Sequence, residues 1–136
     1  MTSQSAATAQ RVLRETRSIA IVGASANPAR ASHEVWTYLK AATGYTLYLV
    51  NPTITEVDGT PVYPSLAALP EVPDLVDVFR RHEELPHVLA DTIAVGAKTL
   101  WLQLGLRDEQ VARDGAAAGL TVIQDLCLKV EYARYA

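Results

Sequence analysis

An apolar run, Ser18-Ile-Ala-Ile-Val22, stops at Gly23 and gives way within ten residues to a helical pattern. Strand, glycine turn and helix in that order constrain the fold more than any other stretch of the chain. Gly23 allows the backbone to turn tightly and come close to a ligand. The small residues Ala24, Ser25, Ala26 and Asn27 follow, then Pro28, Arg30 and Ser32. A buried parallel strand delivers a phosphate to a helix N-terminus in this way, because the N–H groups of the first turn lack acceptors of their own. The expected ligand class is a phosphorylated nucleotide or cofactor.

The same alternation continues along the chain. The spacing predicts strands over 18–22, 46–50, 75–79, 99–103 and 121–123. Helices are expected from Ser32 to Ala42, over 84–95, from Asp108 to Ala118 and from about Asp125 to Tyr135. Ser32 and Ser65 read as helix N-caps, and Val35, Trp36 and Leu39 as an inward face. Leu85, Val88, Leu89 and Ile93 form a second such face, with Pro86 in the first turn. Glu56-Val-Asp-Gly59 reads as a turn before a short extended piece, Pro61-Val-Tyr63. Near-continuous apolar strands between helices imply a parallel sheet covered on both faces. The expectation is an α/β fold, a doubly wound five-stranded parallel sheet of Rossmann-like type with strand order 3-2-1-4-5.

The chain of 136 residues is 49% apolar and 20% charged, enough for one core and too apolar for a disordered polyelectrolyte. We expect one domain over 1–136, with 1–17 as a helical extension and 18–136 as the core. Arg11, Arg14 and Arg17 suggest a presequence, but Ala9, Val12, Leu13 and Thr16 make a stripe suited to packing on a sheet. The second reading is favoured. The formal net charge of −3 gives no global attraction for nucleic acid, so any anion site must be local. No apolar run approaches the ~20 residues that span a bilayer. The single Cys127 forms no internal disulfide, which suits a reducing cytoplasm.

In such a sheet, ligands bind beyond the carboxyl ends of the strands where the order reverses, here expected between the first and fourth strands. The tips there carry Gly23 to Arg30, Asn51-Pro52, Phe79-Arg-Arg-His82 and Gln103-Leu-Gly105. A dinucleotide fingerprint needs three glycines and an acid after the second strand. This chain has Gly23 alone, and Asn51 in the acid's place. Arg30, Arg80 and Arg81 instead favour a more highly phosphorylated nucleotide.

The ordered set Val22-Gly-Ala-Ser25, Arg30, Ser32, Val50-Asn-Pro52, Glu56, Gly59, Tyr63-Pro-Ser-Leu66, Asp74-Leu-Val-Asp-Val-Phe-Arg80 and Trp101-Leu-Gln-Leu-Gly105 resembles the stand-alone CoA-binding proteins. These are relatives of the CoA-binding domain of succinyl-CoA synthetase α subunits, and the likeness runs from Ser18 to Tyr132. It implies a ligand of coenzyme A or an acyl-CoA. Gly23, Ala24, Ser25 and Arg30 would meet its phosphates, with Val50, Asn51, Pro52, Phe79 and Arg80 around the adenine nucleotide. Ser32 is a further phosphate contact, and Gln103 a contact for the pantetheine arm. The C-terminal corner departs from the family pattern of an Arg before the Cys and a Glu-His pair. Cys127 and Glu131 are present, but Leu126 and Tyr132 stand where the Arg and His would be.

No catalytic constellation accompanies these residues. His33, His82 and His87 lack metal-ligand spacing, and Ser25 is not in a G-x-S-x-G elbow. The expectation is a carrier, sensor or regulatory protein without catalytic or metal-binding residues. An NADP(H)-responsive module and a CoA-binding subunit of a multi-protein acyl-CoA enzyme remain open, as does a protein partner or homo-oligomer. Cys127 is either a buried structural thiol or a group able to form a mixed disulfide with CoA.

Overall fold

The computed structural model describes residues 2–135. Its strands are β1 (Ser18–Val22), β2 (Thr46–Val50), β3 (Glu56–Val57), β4 (Thr60–Tyr63), β5 (Leu75–Val78), β6 (Thr99–Leu102) and β7 (Thr121–Ile123). Its α-helices are α1 (Thr2–Glu15), α2 (Ala31–Ala42), α3 (Leu85–Val95), α4 (Glu109–Ala117) and α5 (Leu128–Tyr135). The class is α/β and Rossmann-like, as the alternation predicts.

The sheet has seven strands in the order β3-β4-β2-β1-β5-β6-β7, where the sequence suggested five in the order 3-2-1-4-5. The difference lies in the segment read as a turn and an extended piece. Asp58 and Gly59 adopt φ of 49° and 81°, which closes a hairpin between β3 and β4. β4 then pairs in parallel with β2, matching Leu49 to Val62 and Val50 to Tyr63. That fills the slot assigned to the third predicted strand. The latter, β5, instead pairs with the other side of β1, matching Val22 to Val78. Only the β3–β4 pair is antiparallel.

Two apolar layers cover the sheet. Ile19, Ile21, Leu49, Leu75, Trp101 and Ile123 face α1, α2 and α5. Ala20, Val76, Val78, Leu100 and Leu102 face α3 and α4. The expected stripe of α1 is realised, with Ala9, Val12, Leu13 and Thr16 all buried. On α3, Ile93 is 41% exposed and Thr92 takes the inward place beside Val88 and Leu89. Its hydroxyl is accommodated by donating to the Val88 carbonyl at 2.7 Å.

Three local expectations are corrected. Arg30, rather than Ser32, holds the N-cap position of α2, and Ser32 lies buried inside the first turn. Ser65 precedes the 3₁₀ turn Leu66–Ala68 without a capping side-chain bond. The last helix starts at Leu128, because Asp125 takes a φ of 59° that no α-helix accommodates. Asp108 does cap α4, accepting from the Gln110 and Val111 N–H groups.

Candidate functional site

The chain runs from β1 outward to β2 and the hairpin, then returns to β5 on the other side of β1. The reversal therefore falls between β1 and β5, not between the predicted first and fourth strands. The carboxyl ends of both strands open there onto a cleft of about 680 Å³, within the range of small-molecule sites.

The first-strand loop forms its floor. Gly23 and Ala24 both donate N–H to the Val50 carbonyl, at 3.0 and 3.2 Å, and Phe79 donates to the Val22 carbonyl at 2.8 Å. The sheet ladder is thus carried one residue past each strand end, holding the loop against both neighbours. Asn51 closes it from the side. Its amide donates to the Ala24 carbonyl at 2.8 Å, while its side-chain oxygen accepts from the Thr53 N–H and hydroxyl. Beyond Ala24 the chain folds on itself: Ser25 Oγ accepts from Asn27 N–H, and Asn27 Oδ1 accepts from Ala29 N–H.

This winding leads into α2 with its first turn open. Arg30 at the N-cap offers no acceptor, and its carbonyl takes the N–H groups of His33 and Glu34. Among the described residues, the Ala31 and Ser32 N–H groups have no acceptor. Both residues line the cleft, as do the side chains of Arg30 and Arg80. Two guanidinium groups and a helix N-terminus therefore converge on one cavity, which is the chemistry of an oligophosphate site. Arg80 reaches Glu84 at 3.5 Å, a long contact that leaves most of its donors free.

Of the residues singled out from the sequence, Gly23, Ala24, Ser25, Arg30, Ser32, Asn51, Phe79, Arg80 and Gln103 line the cleft. Val50 and Pro52 stand outside the lining. Val50 is buried and contributes through its carbonyl, and Pro52 is exposed on the adjacent turn. Arg81 is also exposed and outside the lining. Gln103 is 5% exposed, and its side-chain oxygen accepts from the Leu128 N–H at 3.0 Å. It thereby ties the start of α5 to the tip of β6.

That tie brings Cys127 into the cleft beside Gln103, with its thiol partly accessible. Lys129 turns to Glu34, at 2.8 Å, and the hydrogen bond between them raises the lysine's pKa and lowers the glutamate's. Ile54, Leu104 and Leu106 give the cleft apolar margins, Leu104 being 70% exposed. Sequence reasoning did not select these three, although Leu104 between Gln103 and Gly105 at a strand tip carries the signal of an apolar side chain left outside the core. Among the described residues no group of three or more His, Cys, Asp or Glu side chains suits a metal ion. No described helix is long and apolar enough to cross a membrane.

A family model described as CoA binding domain matches residues 17–133. The uncharacterised protein YneT of Bacillus subtilis (strain 168) is 39% identical over 133 residues, spanning 98% of both chains. The solved structure of cell-free ID.343 from Thermus thermophilus is 33% identical, with a TM-score of 0.88 over 96% of this chain and 98% of that one. A dinucleotide-forming acetyl-coenzyme A synthetase from Ca. Korarchaeum cryptofilum shares the fold over 83% of this chain and 27% of its own. Its TM-score is 0.73, at 22% identity.

Proposed function

The chain belongs to the CoA binding domain family, and we propose that it binds coenzyme A or an acyl-CoA in the β1–β5 cleft as a carrier, sensor or regulatory protein without catalytic residues of its own. The observation that carries this reading is the convergence of Arg30, Arg80 and the open first turn of α2 on one cavity. In the bound state the α2 N–H groups and Arg30 hold the pyrophosphate, and Arg80 takes further phosphate charge. Asn51 acts by fixing the loop through Ala24, since its amide and carbonyl are both engaged within the protein. The pantetheine arm runs along Gln103, Leu104 and Leu106, whose mixed polar and apolar character suits an amide-bearing chain.

Ser25 Oγ accepts a backbone bond inside its own loop and has no histidine partner among the described residues. A CoA-binding subunit of a larger acyl-CoA enzyme is compatible with the same site. A thermal-shift titration tests the reading, because a ligand that binds only the folded state raises apparent stability. CoA is expected to raise Tm in a saturable way. Stabilisation by NADPH with no response to CoA would replace this reading with a nicotinamide-responsive module.

A further inference from the structure

At the opposite end of the sheet, away from the cleft, α1, the α2–β2 connection and α5 enclose a second cavity of about 630 Å³. We propose that this cavity is a separate binding site for a small aromatic monocarboxylate. Arg14, Arg17, Leu13 and the three tyrosines Tyr45, Tyr132 and Tyr135 line it.

The case rests first on a surplus of donors. Three main-chain acceptors at or near the cavity are already taken. Tyr45 donates its hydroxyl to the Leu13 carbonyl at 2.6 Å, Thr46 donates N–H to the Arg17 carbonyl at 2.9 Å, and Thr43 donates twice to the Leu39 carbonyl. The guanidinium groups are not. Neither Arg14 nor Arg17 reaches a carboxylate among the described residues. Of the nearby acids, Glu15 and Asp74 line a separate pocket with Arg11 and Thr16. Asp74 accepts from the Arg17 and Ser18 backbone N–H groups through one oxygen, and Glu131 is 3% exposed and paired with Arg134 at 3.8 Å.

Charge selects the ligand's valence. Arg14 and Arg17 against Glu15 leave one positive charge over at this end of α1, in a chain whose net charge is −3. The helix C-terminus itself disfavours anions, so the guanidinium forks supply the attraction, and they match a single carboxylate better than a dianion. The rings select its shape. Tyr45 and Tyr132 stand edge to face, centroids 5.6 Å apart at 73°, and both are half-buried. Such a pair makes part of the lining aromatic, where a further ring can pack edge to face.

An amide-resolved NMR titration of the full chain with benzoate tests the proposal. Saturable shifts are expected in residues 13–17, 43–46 and 132–135. They should weaken by about tenfold or more in an Arg14→Ala/Arg17→Ala variant, two exposed changes that spare the core. Benzyl alcohol and inorganic phosphate should each bind more weakly than benzoate. CoA titrated into the benzoate complex should leave those shifts in place, and this holds whether or not CoA binds. The proposal is overturned by the absence of saturable shifts, by equal binding to the double variant, by equal shifts with benzyl alcohol or phosphate, or by benzoate shifts confined to the β1–β5 cleft.

Discussion

A β-carbon added to Gly23 would stand 2.3 Å from the carbonyl oxygen of Phe79. The loop after β1 and the loop after β5 are therefore in backbone contact, and the cleft floor exists because residue 23 has no side chain. Its φ of 95° adds a second demand that an L-residue meets poorly. Gly23→Ala is expected to destabilise the protein by roughly 2–4 kcal/mol and to lower Tm by roughly 10 °C. Thermal unfolding without ligand measures this. An unchanged Tm would mean that the two loops separate freely.

The arginines are expected to act on affinity with little effect on folding. Arg30 is exposed and Arg80 has only its long contact with Glu84. Each Ala substitution should weaken CoA binding by about tenfold to a hundredfold, the range of a lost charge-assisted hydrogen bond. Dephospho-CoA should bind less well than CoA to the native protein, and the difference should shrink in the variant whose arginine reads that phosphate. Calorimetric titration separates the two residues.

Cys127 lines the same cleft, so the proposed ligand should shield it. Alkylation by iodoacetamide is expected to slow several-fold in saturating acetyl-CoA, which has no free thiol to consume the reagent, with no protection by benzoate. Mass spectrometry of the modified chain gives the rate. Equal rates with and without acetyl-CoA would place the bound cofactor away from α5.

Asp77 is wholly buried in the centre of the sheet, between Ile21 and Trp101 in register, and neither carboxylate oxygen has a hydrogen-bond partner. Burial pushes its pKa well above the ordinary carboxylate value. The folded state therefore holds a proton that the unfolded chain releases above about pH 3.9. Stability contributed by this proton is fully present below that pH and declines as pH rises toward the folded-state pKa, by up to about 1.4 kcal/mol per pH unit. Asp77→Asn removes the titration, so the variant's Tm relative to the native protein should climb between pH 4 and pH 7. A constant difference would mean that the carboxyl does not change its protonation on folding.

The alternation that identifies the fold class was readable because buried parallel strands are apolar along their whole length. Ser18 to Val22 and Thr99 to Leu102 have no solvent face to encode. The strand order was not readable. It turns on a two-residue strand, Glu56–Val57, and on Thr60–Tyr63, whose Pro61 reads as a break. Such short pieces have no periodicity of their own, and their pairing with β2 is a tertiary event. The cleft residues at strand tips were legible as polar or special residues after apolar runs. Ile54, Leu104 and Leu106 were not, since an apolar residue near a strand end looks like core. Nor does Asp77 announce its burial, because one acid in an apolar run equally marks an exposed edge. The role of Asn51 needed coordinates, as nothing local shows that its amide reaches Ala24.

The central claim is that the β1–β5 cleft holds coenzyme A. Native mass spectrometry of the protein purified without added ligand, then titrated with CoA and NADPH, tests it most directly. The account predicts one CoA or acyl-CoA per chain, either co-purifying or acquired on titration, and lost in an Arg30→Ala/Arg80→Ala variant. A chain that acquires NADPH but not CoA, or that binds CoA equally well without both arginines, would contradict it.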